Sequence, residues 1–342
     1  MSAPSSAARR SRLWTTLLGL VISAGLLALI LRQVDLGEVR RHLAGARTLP
    51  LLAAVVIATA TFPLRAIRWR WLLCDADGRP LPFGLLWHAT AIGFMANNVL
   101  PLRAGELLRP FAVARLGGVR FTTALASIAV ERIFDALTIV LLLTIALASP
   151  GLGAGAAVGG VPVSRLAVIA AGVSAAALVA GAVVVARPLV AERLAHALIP
   201  SDRIAYRVVS LIEGIRQGLA ALDSPRRVAP VVAWSLVLWL VNAASYWVGF
   251  AAFDIPVSFA GALLVQGLLV FGVSVPSTPG YIGPFEAAIV AGLALYGVSE
   301  DRGFSYALAY HVTTFLPIVL LGLWSTAQTR IGLGELRRAR PV

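Results

Sequence analysis

The sequence predicts an all-α polytopic membrane protein with about six full spans and two broken, re-entrant hairpins, or alternatively eight spans. Three observations predict it. Hydrophobic residues make up 59% of the 342 and charged residues 13%, against about 25% charged in a soluble domain, and the mean hydropathy is +0.86. Several apolar stretches reach the roughly 20 residues that cross a bilayer as helix. Two further apolar stretches are interrupted by proline and glycine, each with a carboxylate beside the break. The longest hydrophilic segment, 187–228, is short and amphipathic, so the reading is a single integral membrane domain over 1–342.

The plain spans are 13–31, 49–73, 121–149, 163–187, 229–252 and 305–327; the interrupted ones are 84–116 and 258–299. Arg9, Arg10 and Arg12 precede the first run, which is long for a signal-peptide core and lacks a small-residue cleavage site. It reads as a retained span. Positive charge gathers on the cytoplasmic side of membrane proteins. That rule places both termini in the cytoplasm, together with Arg70, Arg79, Arg115, Arg120 and the arginines of 187–227. It places the glycine-rich, charge-free loop 150–161 outside. The clusters agree only if 84–116 dips in and returns as a re-entrant hairpin. Segment 32–47, with Leu36, Val39 and Leu43 at helical spacing, reads as a short helix on the outer surface. Its four arginines argue against the orientation.

Residues 13–149 and 163–327 then each give span, span, hairpin, span, starting from opposite sides. Such inverted-topology halves occur in many alternating-access transporters.

All 29 basic residues are arginine and the net charge is +13. They lie beside apolar spans, which points to anionic lipid headgroups as partners and not to nucleic acid. Cys74 is the single cysteine, so no intrachain disulfide forms. His42, His88, His196 and His311 are scattered without metal-ligand spacing. No glycine-rich phosphate loop, zinc motif or nucleophile elbow is present, and no cofactor is expected.

Ionisable groups within membrane spans are costly and mark functional sites. Broken backbone at membrane depth survives where protein or a water-filled cavity satisfies it. Arg65 and Arg68 share one face at the end of the second span, where arginines snorkelling at a membrane edge are the plainer alternative. Arg103, Glu106 and Arg109 follow Asn98 and Pro101, and share a face if helical, so that Glu106 pairs with either arginine. Their guanidiniums suit phosphate. Glu131, Arg132 and Asp135 lie about ten residues into the next long span, where the carboxylates require a cation and the first-hairpin arginines are the natural partners. The second hairpin carries Gly280 and a lone carboxylate, Glu286. Tyr310, His311, Asn242 and Gln266 read as interhelical hydrogen-bonding groups.

Four motifs occur in order: Arg65-x-x-Arg68-Trp69, Asn98-x-Leu100-Pro101-x-Arg103-x-Gly105-Glu106-x-x-Arg109, Glu131-Arg132-x-x-Asp135 and Pro279-Gly280-x-x-Gly283-x-x-Glu286. Together they resemble the transmembrane, flippase-like domain of bacterial lysylphosphatidylglycerol synthases, which also occurs as stand-alone proteins. The resemblance covers nearly the whole chain. It implies handling of a polar-headed lipid in a bacterial cytoplasmic membrane. It does not imply synthase activity, since the soluble aminoacyl-transferring domain is not in this sequence.

The functional expectation is a flippase moving a phosphate-bearing lipid, whether aminoacyl-phospholipid, glycolipid or polyprenyl-linked, between leaflets. Arginines near the first hairpin would hold the phosphate. Glu286 or the Glu131/Asp135 pair would carry protons. The alternatives are an integral-membrane transferase using Glu106 or Glu286 as base, and a membrane scaffold for a separate lipid-synthesising enzyme. The oligomeric state is left open.

Overall fold

A computed structural model describes residues 21–149 apart from 30, 33, 76, 101 and 102; 157, 158, 161, 162, 165, 169 and 172; and 225–331 apart from 275–277. Apart from 165, 169 and 172, the expected span 163–187 lies outside the described residues, as do the basic segment up to 224, the C-terminal arginines beyond 331, and residues 13–20 and 30 of the expected first span. Of that first span, residues 21–29 are helical.

Among the described residues nine further α-helices follow: α1 (Leu36–Ala44), α2 (Thr48–Leu72), α3 (Phe83–Val99), α4 (Gly105–Gly117), α5 (Phe121–Ala148), α6 (Pro225–Phe250), α7 (Phe259–Gly272), α8 (Pro284–Ala294) and α9 (Glu300–Thr329). Among the described residues the only strands form a two-residue hairpin in the expected glycine-rich loop, with Ala157 opposite Pro162 and Val158 opposite Val161. The protein is an all-α polytopic membrane protein. Thr48–Leu72, Val228–Phe253 and Glu300–Thr329 are long and apolar enough to span. Helix α5 matches them in length, with 28 residues, but carries Glu131, Arg132 and Asp135. Leu52, Val56, Leu240, Trp247, Leu316 and Leu320 are exposed on α2, α6 and α9. An outer surface of this kind suits hydrocarbon and not water.

Helix α1 begins where Asp35 accepts hydrogen bonds from the Gly37 and Glu38 amides at 2.7 and 3.3 Å, satisfying donors that a first helical turn leaves open. Val39 packs against Phe304 of α9, while Leu36 and Leu43 stay exposed. This is the short helix expected from the spacing.

Helices α3 and α4 form one hairpin; α7 and α8 form the other. At a rise of 1.5 Å per residue their legs of 17, 13, 14 and 11 residues measure about 25, 20, 21 and 17 Å, short of the ~30 Å hydrocarbon core. In the first hairpin the legs touch backbone to backbone. A Cβ on Gly105 would collide with the Gly93 carbonyl oxygen, and one on Gly93 would lie 2.6 Å from the Arg109 Cβ. In the second, Gly283 adopts φ 96° and its amide donates to Glu286 Oε2 at 2.7 Å, closing the first turn of α8. A Cβ on Gly283 would lie 2.6 Å from the Ser23 carbonyl oxygen of the first span.

The packing relations recur. α2 packs on α3, and α6 on α7. α4 packs on α5, and α8 on α9. α5 also packs on α7, while α9 packs on α3, so each long helix reaches across to the other hairpin. α2 and α6 pack along each other between them.

Candidate functional site

Helices α2, α4, α5 and α6 bring a charge network together. Glu131 receives Arg109 in a two-pronged pair, Nη1 to Oε1 at 2.7 Å and Nη2 to Oε2 at 3.0 Å. Arg132 Nη2 reaches Glu131 Oε1 at 2.6 Å, and Arg68 Nη2 lies 3.2 Å from the same oxygen. Asp135 accepts from Arg68 Nη1 at 2.5 Å and from the Trp239 indole at 2.8 Å, with Arg132 at 3.1 Å from its other oxygen. Ser235 accepts a bond from Arg68 at 3.0 Å. Arg109 lies 3.9 Å from the Trp69 ring centroid, and Trp69 donates to Ser127 at 2.9 Å. These bonds offset the cost of removing the charges from water, which is several kcal/mol per ion.

Arg65 differs. It is buried, 7% exposed, and among the described residues its guanidinium has no hydrogen bond or ion pair. Its contacts are faces of aromatic rings: Phe94 at 4.7 Å and Trp239 at 5.6 Å. It borders a cavity of about 410 Å³ enclosed by the two hairpins, α2, α5, α6 and α9. Asn98, Arg103, Glu106, Arg109, Arg132 and Asp135 also line this cavity. Arg68 and Glu131 stand behind that wall and hold it.

The hairpin tips meet at the cavity. Arg103 stands ahead of α4 in left-handed backbone, φ 50°, uncommon for a residue with a side chain. Its guanidinium donates to the Val273 carbonyl at the end of α7 and lies 5.9 Å from the Tyr281 ring centroid. A Cβ on Gly280 would lie 3.6 Å from the Asn98 carbonyl oxygen.

Several sequence expectations change in detail. Arg103, Glu106 and Arg109 do not form one helical face, because α4 starts at Gly105. Glu106 pairs with Arg103 at 3.8 Å, while Arg109 turns inward to Glu131. The arginine partners of the carboxylates come from α2 and α5 as well as from the first hairpin. Arg68 is fully buried and is not a snorkelling residue. Glu286 is not alone: His311 Nδ1 lies 2.6 Å from its Oε1, and Phe285 stacks on the His311 ring at 4.1 Å. Gly280 and Glu286 shape the second hairpin and do not line the cavity, whereas His311 does. Trp239, Tyr246 and Tyr281 line it too. Nothing in their local sequence separates them from membrane-interface aromatics. Among the described residues no cluster of His, Cys, Asp and Glu has the makings of a metal site.

Two helical hairpins bordering an arginine-lined cavity inside an apolar helical bundle define the class: an integral membrane protein with a buried charge network. The chain belongs to the family described as the lysylphosphatidylglycerol synthase TM region, whose model matches residues 16–322. It is similar to a protein named glycosyltransferase AglD from Haloferax volcanii, 29% identical over 353 residues that cover 95% of this chain and 56% of AglD. It is also similar to a UPF0104 membrane protein from Methanothermobacter thermautotrophicus, 22% identical over 79% of this chain and 80% of that protein. The chain therefore spans about half the length of AglD. Both relatives are archaeal.

Proposed function

We propose that this protein moves a phosphate-bearing, polar-headed lipid between the leaflets of its membrane, with the headgroup in the cavity and the tails in lipid. The observation that carries this reading is Arg65. A buried guanidinium held only by ring faces beside a cavity calls for an anion. Four guanidiniums, Arg65, Arg68, Arg109 and Arg132, stand against two carboxylates, Glu131 and Asp135. The cluster thus holds two excess positive charges.

The hairpins are read as re-entrant because their legs are shorter than the hydrocarbon core. The recurring packing supports two inverted halves, α2–α5 and α6–α9, each pairing a full span, a hairpin and a final span. The hairpins then gate the cavity from opposite leaflets, with Arg103 and Val273 bridging the tips in the closed arrangement. A separate lipid-synthesising enzyme supplies the cargo.

The test is reconstitution of the full chain in liposomes containing a headgroup-labelled phospholipid, with mass spectrometry of co-purifying lipid. Arg65→Gln and Arg103→Ala should lower both lipid retention and translocation, while Arg337→Ala, in the C-terminal tail, should behave as wild type. Equal behaviour of the three variants rejects the site. The name of AglD favours a second reading, a transferase acting on a lipid-linked sugar. The match covers only 56% of that protein, so glycosyl transfer need not belong to the shared part. Product formation by the purified chain in detergent, where no leaflets exist, would establish the transferase instead.

A further inference from the structure

We infer that the cavity selects a headgroup carrying a dianionic phosphate, a phosphomonoester or a diphosphate, and rejects cationic aminoacyl headgroups of the kind in the family's own description. The inference rests on the reading of this cavity as a lipid headgroup site and adds its charge class.

The argument is a charge balance at short range. Glu131 is shared by Arg68, Arg109 and Arg132, and Asp135 by Arg68 and Arg132. Neither carboxylate bonds Arg65, although Asp135 stands near enough to act on its charge. The Arg103–Glu106 pair at the hairpin tip is neutral as a unit. Over Arg65, Arg68, Arg109, Arg132, Glu131 and Asp135 the excess is therefore two positive charges; Glu286, bonded to His311, lies outside this cluster. In a low-dielectric interior an uncompensated charge is far more costly than in water, so the fitting ligand brings about two negative charges. A phosphodiester brings about one. A phosphomonoester brings about 1.5 to 2 near neutral pH.

An aminoacyl ester on a phosphodiester brings ammonium groups, which need acceptors. The two carboxylates lining the cavity, Asp135 and Glu106, are each already engaged by arginine. The other polar lining offers amides, hydroxyls and phenols, Asn97, Asn98, Asn242, Tyr246, Tyr310 and Thr314 among them, and His311 is bonded to Glu286. A lysyl headgroup would set its ammoniums against Arg65 and Arg132 with no carboxylate to separate them. The same dianion chemistry exists in free phosphate as well as in lipids, and the experiment separates the two.

The test uses the full chain in phosphatidylcholine nanodiscs. Retention of phosphatidic acid, phosphatidylglycerol and lysyl-phosphatidylglycerol is compared by native mass spectrometry, with inorganic phosphate as a soluble competitor. Phosphatidic acid should bind at least about tenfold more tightly than phosphatidylglycerol, the scale of one charge-assisted contact, and lysyl-phosphatidylglycerol should bind most weakly. Arg65→Gln should reduce the preference for phosphatidic acid to within about threefold, and Arg65→Lys, which keeps the charge but loses the planar fork, should keep part of it. Lysyl-phosphatidylglycerol binding as well as phosphatidic acid, or an unchanged preference in Arg65→Gln, overturns the inference. Translocation of the same lipids is scored in parallel in liposomes. The predicted ranking without any lipid crossing leaves the charge class standing and removes the flippase reading. Crossing with lysyl-phosphatidylglycerol preferred does the reverse. Inorganic phosphate competing as effectively as phosphatidic acid keeps the dianion class and assigns it to a soluble ligand.

Discussion

Arg109 and Glu131 lie 22 positions apart and meet in a two-pronged, buried ion pair, at 2.7 and 3.0 Å. The pair ties the second leg of the first hairpin to the helix that follows it. Burial excludes water from both groups, so each depends on the other and on Arg132 and Arg68 around them. Breaking a buried pair by removing one partner costs about 3–5 kcal/mol, because the other charge is left unpaired.

Glu131→Gln should therefore lower the unfolding midpoint of the detergent-solubilised protein far more than Glu106→Gln, whose parent carboxylate is half-exposed and 3.8 Å from its partner. Thermal unfolding followed by size-exclusion recovery reads the difference. Similar midpoints for the two variants would mean that the network is not holding the helices.

Gly105 should not tolerate a side chain. Its Cβ would enter the Gly93 carbonyl of α3, so Gly105→Ala should part the hairpin legs at a cost of at least about 1–3 kcal/mol. Gly84→Ala, in the same hairpin, meets nothing within 4 Å. It should be neutral or stabilise by roughly 0.5–1 kcal/mol through the lost backbone freedom of the unfolded chain. Matching losses in the two variants would refute close backbone packing as the reason for Gly105.

The orientation expected from the arginines is tested by cysteine labelling in a Cys74→Ser background. An impermeant reagent applied from outside should modify a cysteine placed at 155 and spare cysteines placed at 195 and 338. Modification at 195 from outside inverts the assignment.

Glu286 and His311 should act as one unit in any pH response. The carboxylate holds the imidazole at 2.6 Å and the Gly283 amide at 2.7 Å, and the imidazole borders the cavity. If the pair carries a proton during transport, Glu286→Gln and His311→Gln should both fold and both flatten the dependence of translocation on external pH from about 5.5 to 8. A wild-type profile in Glu286→Gln assigns the carboxylate to closing the first turn of α8 alone.

Composition and arginine spacing by themselves determined that this chain is a helical membrane protein. The helix boundaries at Thr48–Leu72 and Phe121–Ala148 fall within a residue or so of the apolar runs. Hydrophobic length is a local property, and so is a proline–glycine interruption, which is why both hairpins were legible at 84–116 and 258–299. Charged residues in apolar surroundings also announce themselves one at a time, so Arg65, Glu131 and Asp135 stood out. Their pairing stood out only in part: the first-hairpin arginines were the expected partners, and Arg109 does meet Glu131. Which guanidinium satisfies Glu131 depends on how α2, α4 and α5 cross, and only the tertiary structure decided that Arg109 and Arg68 do so while Arg65 is left facing the cavity. The same holds for His311, whose position 25 residues from Glu286 carries no periodicity linking the two. Burial of one face of α9 against α8 sets that contact, and burial is a property of the assembled bundle.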